Sequence, residues 1–211
     1  MAMSEIESLE KIVEDIDDEL DDKDTVRELV MKSSRAIRRI SKKIIQDIHR
    51  GNNCKPELHE AMEEVSKIKG VVEEHPELYY AGFLRNGFQE FAEAHILWSL
   101  SEGVKPKSPD ELDITSASYV LGLADVVGEL RRMVLDELTN DNLEKARDLH
   151  LKMEDIKNML MELEYPNAIV PIKNKKDMSR NLVEKTRGDI ANSIRNERLR
   201  EKIEDLEKKL E

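Results

Sequence analysis

The chain has 211 residues, with 34 Lys+Arg against 46 Asp+Glu for a net charge of −12, and 38% of its residues are charged. No apolar run approaches the roughly 20 residues that a membrane span needs, so no membrane partner is expected. The 39% apolar content still permits a core, because a chain of this size buries about 70% of its surface on folding. With 8 Gly, 6 Pro, 3 Phe, 4 Tyr and 1 Trp, the balance favours an all-α fold and disfavours sandwiches, barrels and Gly-loop nucleotide folds. No linker divides the chain, so residues 1–211 are expected to form one domain. The single cysteine, Cys54, cannot close an internal disulfide. The start Met1-Ala2-Met3-Ser4-Glu5 lacks the pattern of a signal peptide, which predicts a reducing, cytoplasmic home.

Helical periodicity predicts seven helices in chain order. The first covers about Ser4 to Leu20, with Ile6, Leu9, Val13, Ile16 and Leu20 as its apolar stripe, and the second about Thr25 to His49, stopped by Gly51-Asn52-Asn53. Cys54 then reads as a loop thiol. Pro56 suits the first turn of a third helix, which ends before His75-Pro76. The fourth runs from about Glu77 to Ser101 and is followed by the loop Gly103-Val104-Lys105-Pro106-Lys107-Ser108-Pro109. A fifth spans about Ile114 to Leu138 and a sixth about Asn142 to Glu164, broken by Tyr165-Pro166-Asn167. After a basic loop, Lys173-Asn174-Lys175-Lys176, a seventh begins near Asp177.

Charge is segregated along the first two helices. Residues 1–24 hold eleven acids and two lysines, a net of −9, and residues 27–50 hold eight basic residues and two acids, a net of +6. At 100° per residue, Val30, Ile37, Ile40, Ile44 and Ile48 share one face of the second helix. Arg35, Arg38, Arg39, Lys42 and Lys43 fall opposite, and no acid stands between Lys32 and Lys43 to screen them. Such a row of forked and point cations suits a phosphate backbone, or else an acidic helix of this chain or a neighbour. Lys173, Lys175 and Lys176 are the next candidates for such contacts.

The fourth helix carries Gly87-Phe88-Gln89-Glu90-Phe91-Ala92-Glu93-Ala94-His95 and the fifth Leu121-Gly122-Leu123-Ala124-Asp125-Val126-Val127-Gly128-Glu129-Leu130. Glu90 and Glu93 stand i,i+3, Asp125 and Glu129 i,i+4, so each pair projects from one face of a mostly apolar helix. Two helices can therefore aim four carboxylates at one place. Ionised carboxylates in such surroundings need a compensating positive charge. The candidates are Arg85, Arg131 or Arg132 in structural ion pairs, or Mg²⁺ or Mn²⁺, which favour oxygen-only ligand sets. No histidine follows a glutamate at the spacing of di-iron bundles. A metal-dependent phosphodiesterase would use the basic stripe as well. An all-α nucleoside triphosphate pyrophosphohydrolase fits the first acidic pair but requires Glu-x-x-Asp where this chain has Asp125-x-x-x-Glu129. P-loop and nucleophile-elbow chemistry have no support.

Three stretches resemble the translin family, specifically its catalytic branch, translin-associated protein X (Trax): Ser41-Lys42-Lys43-Ile44-Ile45-Gln46-Asp47-Ile48-His49-Arg50, Gly87 to Ala94, and Leu121 to Met133. The resemblance implies a seven-helix bundle that assembles into hollow, roughly octameric particles whose inner wall binds RNA or single-stranded DNA. It further implies Mg²⁺-dependent endoribonuclease activity, with Glu90, Glu93 and Asp125 as active-site acids and Glu129 completing the cluster. A self-sufficient homo-oligomer of prokaryotic type is the form expected. The competing expectation is a translin-like nucleic-acid scaffold whose carboxylates are structural.

Overall fold

In a computed structural model, residues 5–72 and 75–210 are described. The fold is all-helical: α1 (Glu5–Arg50), α2 (Lys55–Val71), the single turn α3 (Pro76–Tyr79), α4 (Gly82–Glu102), α5 (Ser116–Thr139), α6 (Leu143–Met161) and α7 (Lys173–Leu210), with a 3₁₀ turn at Asp110–Leu112. No described helix is long and apolar enough to cross a membrane.

The helix boundaries differ from expectation in three places. The first two predicted helices are one element of 46 residues, because Asp21-Asp22-Lys23-Asp24 contains neither Gly nor Pro. Its side chains bond along the helix instead, with Thr25 donating to the Asp21 carbonyl (3.0 Å) and Arg27 pairing with Asp24 (2.7 Å). The predicted fourth helix is divided into α3 and α4 near Tyr80 and Ala81. The expected loop Lys173 to Lys176 is the first turn of α7. Other signals end helices where they stand in sequence. Gly51 and Gly103 adopt φ of 69° and 67° at the ends of α1 and α4, a conformation that costs glycine nothing. The Thr115 hydroxyl caps α5 by accepting from the Ser118 amide (3.1 Å).

The apolar face of α1 (Val30, Ile37, Ile40, Ile44) is buried against α4 and α2, while α5 packs on α4, α6 and α7. Four helices run in one direction. Ser34 bonds Phe83 and Arg38 meets Glu90 along α1 and α4; Ser118 bonds Arg85 and Gln89 meets Asp125 along α4 and α5; Lys175 meets Asp125 and Arg131 meets Asp189 along α5 and α7. Both long outer helices overrun this bundle. Nothing in α1 before Val30 is buried, and nothing in α7 after Ile190.

Candidate functional site

The site lies where α4 crosses α5. A methyl group placed on Gly122 would stand 2.6 Å from the Gln89 carbonyl oxygen, 2.7 Å from Ala92 Cβ and 2.8 Å from the Glu93 amide nitrogen. The two backbones therefore touch, and only glycine permits this crossing. One and two turns along α5 from that contact stand Asp125 and Glu129, close enough to Glu93 of α4 to act on its charge, as Glu90 also does.

Burial and like charge act together on Glu93. Desolvation first, then the carboxylates of Asp125, Glu129 and Glu90, push its pKa up to about 8, while Lys175 acts to lower it. The carboxyl is thus protonated at neutral pH, and it makes no hydrogen bond or ion pair with the described residues. Its three neighbours are each compensated. Arg38 Nε donates to Glu90 (3.0 Å), Gln89 Nε2 donates to Asp125 (2.6 Å) with Lys175 pairing on the other oxygen, and His49 Nε2 donates to Glu129 (2.5 Å). His49 is nearly buried, and its Nδ1 has no hydrogen-bond partner.

All four predicted acids are brought together, but of the expected compensating arginines only Arg132 pairs with one of them. Arg131 turns to Asp189 (2.8 Å) and Thr186 (2.6 Å), Arg132 stands 4.0 Å from Glu129, and Arg85 is exposed. Arg38, His49 and Lys175 are the main partners of the acids, and Gln89 adds a hydrogen bond to Asp125. No sequence spacing could have placed His49 or Lys175, 80 and 50 residues from their partners. Gln89 lay inside the quoted acidic motif and was legible there as the only other polar residue between Gly87 and Ala94. Among the described residues, no three His, Cys, Asp or Glu side chains form a ready metal cage; Glu90, Asp125 and Glu129 each engage a protein partner instead.

Arg35, Arg38, Arg39, Lys42 and Lys43 are all exposed and, with Gln46, line one shallow concavity on α1. Arg38 joins this row to the acidic cluster, and Lys43 pairs with Glu57 of α2. Lys175 belongs to the acidic site, whereas Lys176 Nζ caps the carbonyls of Met161 and Leu163 (3.1 and 2.9 Å). Cys54 is buried, and burial raises its thiol pKa. It is an inert thiol at the start of α2.

Residues 99–187 match the translin family. The chain is also 30% identical to AfC3PO in its duplex RNA complex, covering 86% of this chain and 95% of that one at a TM-score of 0.79. The chain belongs to the translin family. The AfC3PO structure determined separately superposes with a TM-score of 0.78. A further relative is MJ0175, an uncharacterized protein of Methanocaldococcus jannaschii, 39% identical over 188 residues, which are 87% of this chain and 83% of that one. Apo-NeC3PO, at 18% identity and a TM-score of 0.69 over 92% of this chain and 99% of its own, shares the translin fold. The stretch matched to translin contains Asp125, Glu129 and Lys175, so half of the acidic cluster and its lysine lie within it.

Proposed function

We propose that this protein is an RNA-binding, Mg²⁺- or Mn²⁺-dependent endoribonuclease of the Trax-like, prokaryotic branch of the translin family, acting as a closed homo-oligomer. The observation that carries the reading is the convergence of Glu90, Glu93, Asp125 and Glu129 where α4 crosses α5 at Gly122; burial and the three neighbouring acids push the Glu93 pKa up to about 8, the mark of a site short of positive charge. The oxygen-only donor set of Glu90, Glu93, Asp125 and Glu129 fits a hard divalent cation, and these residues would hold it. Bound there, the ion would polarise the scissile phosphate and activate water. The chain's own groups do the rest. Arg39, Lys42 and Arg35 hold the RNA backbone, Arg38 spans from that row to Glu90, and Lys175 and His49 orient Asp125 and Glu129. The duplex RNA complex of AfC3PO supports duplex RNA as a ligand; single-stranded RNA or DNA would engage the same phosphate contacts.

The deciding experiment incubates labelled single-stranded and short duplex RNA with the protein. Cleavage in Mg²⁺ or Mn²⁺ that EDTA abolishes is expected. One observation favours a second reading, a non-catalytic scaffold: Arg38 and Lys175 already pair with Glu90 and Asp125, and His49 hydrogen-bonds Glu129, without a metal. RNA binding without cleavage at any divalent-ion concentration would select it.

A further inference from the structure

Two features of the fold remain without a role: the bare N-terminal length of α1 and the bare C-terminal length of α7. Ile6, Leu9, Val13, Ile16 and Leu20 are each about half exposed, and so are Leu199, Ile203 and Leu206. Their spacings alternate three and four residues, the a/d repeat of a coiled coil. A helix does not hold such a stripe in water without a partner. The overhangs have similar lengths, on the order of 30–40 Å each at 1.5 Å per residue. They cannot pair within one chain, because they leave the bundle at opposite ends. That of α1 extends past the start of α4, where Asp22 meets His75 (3.2 Å), and that of α7 past the end of α5, where Arg200 meets Asp141 (3.7 Å).

We propose that the α1 overhang of one copy and the α7 overhang of the next form a parallel two-stranded coiled coil that links copies head to tail. The occupant is identified by the flanking charges. Beside its apolar stripe α1 carries Glu5, Glu10, Asp17, Glu19 and Asp24, whereas α7 carries Arg195, Arg200, Lys202 and Lys209. Aligning Leu9 with Leu199 also aligns Val13 with Ile203 and Ile16 with Leu206. In that register Glu5 falls opposite Arg200, Glu10 opposite Arg195, Asp17 opposite Lys202 and Asp24 opposite Lys209; the unfavourable neighbours are Ile12 with Glu207 and, in the seam itself, Ile6 with Asn196. Two α1 overhangs set against each other would instead oppose Glu5 to Glu10 and Glu19 to Asp24. The α1 stripe is thus built against itself and for α7. A contact between different surfaces of identical chains is heterologous, so repeating it closes a ring if the rotation allows. The inference rests on the homo-oligomeric part of the proposed reading and not on its chemistry.

The test is a charge exchange read by sedimentation, with circular dichroism as a check that the helices persist. Wild-type protein is expected to assemble. Glu5→Lys with Glu10→Lys and Asp17→Lys should weaken assembly by tenfold or more, roughly the effect of turning three flanking attractions into repulsions. Arg195→Glu with Arg200→Glu and Lys202→Glu should do the same, and all six changes together should restore assembly. Either triple variant assembling like wild type overturns the coiled coil while homo-oligomerisation stands. A six-fold variant as dissociated as the triples also overturns it, and would send the acidic overhang to another surface, such as a neighbour's Arg35 to Lys43 row. A monomeric wild-type chain overturns both this inference and the homo-oligomeric reading.

Discussion

At the scale of single residues, the site is governed by one protonated acid. Glu93 has a pKa near 8 in the folded protein against 4.5 for the free side chain. The folded state therefore binds more protons than the unfolded state between those values. Its contribution is fully favourable below about pH 4.5 and is lost as pH rises through 8. At 1.36 kcal/mol per unit, the difference is on the order of 5 kcal/mol. Glu93→Gln is expected to leave stability nearly unchanged at pH 5 and to raise it increasingly towards pH 9, which urea unfolding at a series of pH values checks. Mg²⁺ should raise the Tm of the wild type at pH 8 and have little effect on that variant. In cleavage assays Glu90→Ala, Glu93→Ala and Asp125→Ala should each remove activity while RNA binding persists, since residues acting as a unit fail together. Glu129→Ala should cost less, because Glu129 is already engaged by His49. His95, by contrast, is buried between Phe91 and Trp98, with its pKa pushed down to about 4 by burial. It is a neutral core residue, and its neighbourhood in sequence to Glu93 carries no chemistry.

At the scale of elements, the α4–α5 crossing sets the acid-to-acid geometry. Gly122→Ala would drive a methyl into the α4 backbone, and overpacking of this kind costs about 1–3 kcal/mol. Cleavage should fall by more than the loss of folded protein explains, which comparing residual activity with residual helicity tests. On α1, Arg39→Ala and Lys42→Ala should weaken all RNA sequences alike and reduce the salt slope by about 0.7–0.9 per lost contact. Arg38→Ala should differ from both by also lowering kcat, because it removes the partner of Glu90. Fluorescence anisotropy across a salt series, beside single-turnover cleavage, separates the two effects.

At the scale of the whole molecule, a chain of net charge −12 repels RNA at long range, so the α1 cations work against the field of their own protein. Assembly that gathers several such rows on one enclosed face answers this, while pairing α1 acids with α7 cations removes repulsive charge from the exterior. The expected particle is closed and hollow, of about eight subunits. RNA held by one row is then already close to the next. Sedimentation at low micromolar concentration checks it: a monomer that cleaves RNA at full rate would contradict the arrangement.

The sequence by itself determined what local physics decides. Helical class followed from period and composition, the end of α1 from Gly51, the end of α4 from Gly103, and the buried and basic faces of α1 from 100° spacing. The pairs Glu90/Glu93 and Asp125/Glu129 were legible for the same reason, since i,i+3 and i,i+4 neighbours share a helix face wherever the helix goes. Local reasoning misjudged residues 21–24 and 173–176, where charge resembled a loop but no residue interrupted the backbone hydrogen bonds. Only tertiary structure decided that the two acidic pairs meet, because the helix crossing depends on how closely Gly122 lets two backbones approach. It also decided that Arg38, His49 and Lys175 answer the carboxylates, with Arg132 reaching Glu129 only at 4.0 Å and Arg131 turned to Asp189. Those partners come from α1 and α7, and which side chain reaches a buried charge is settled by packing between helices far apart in the chain.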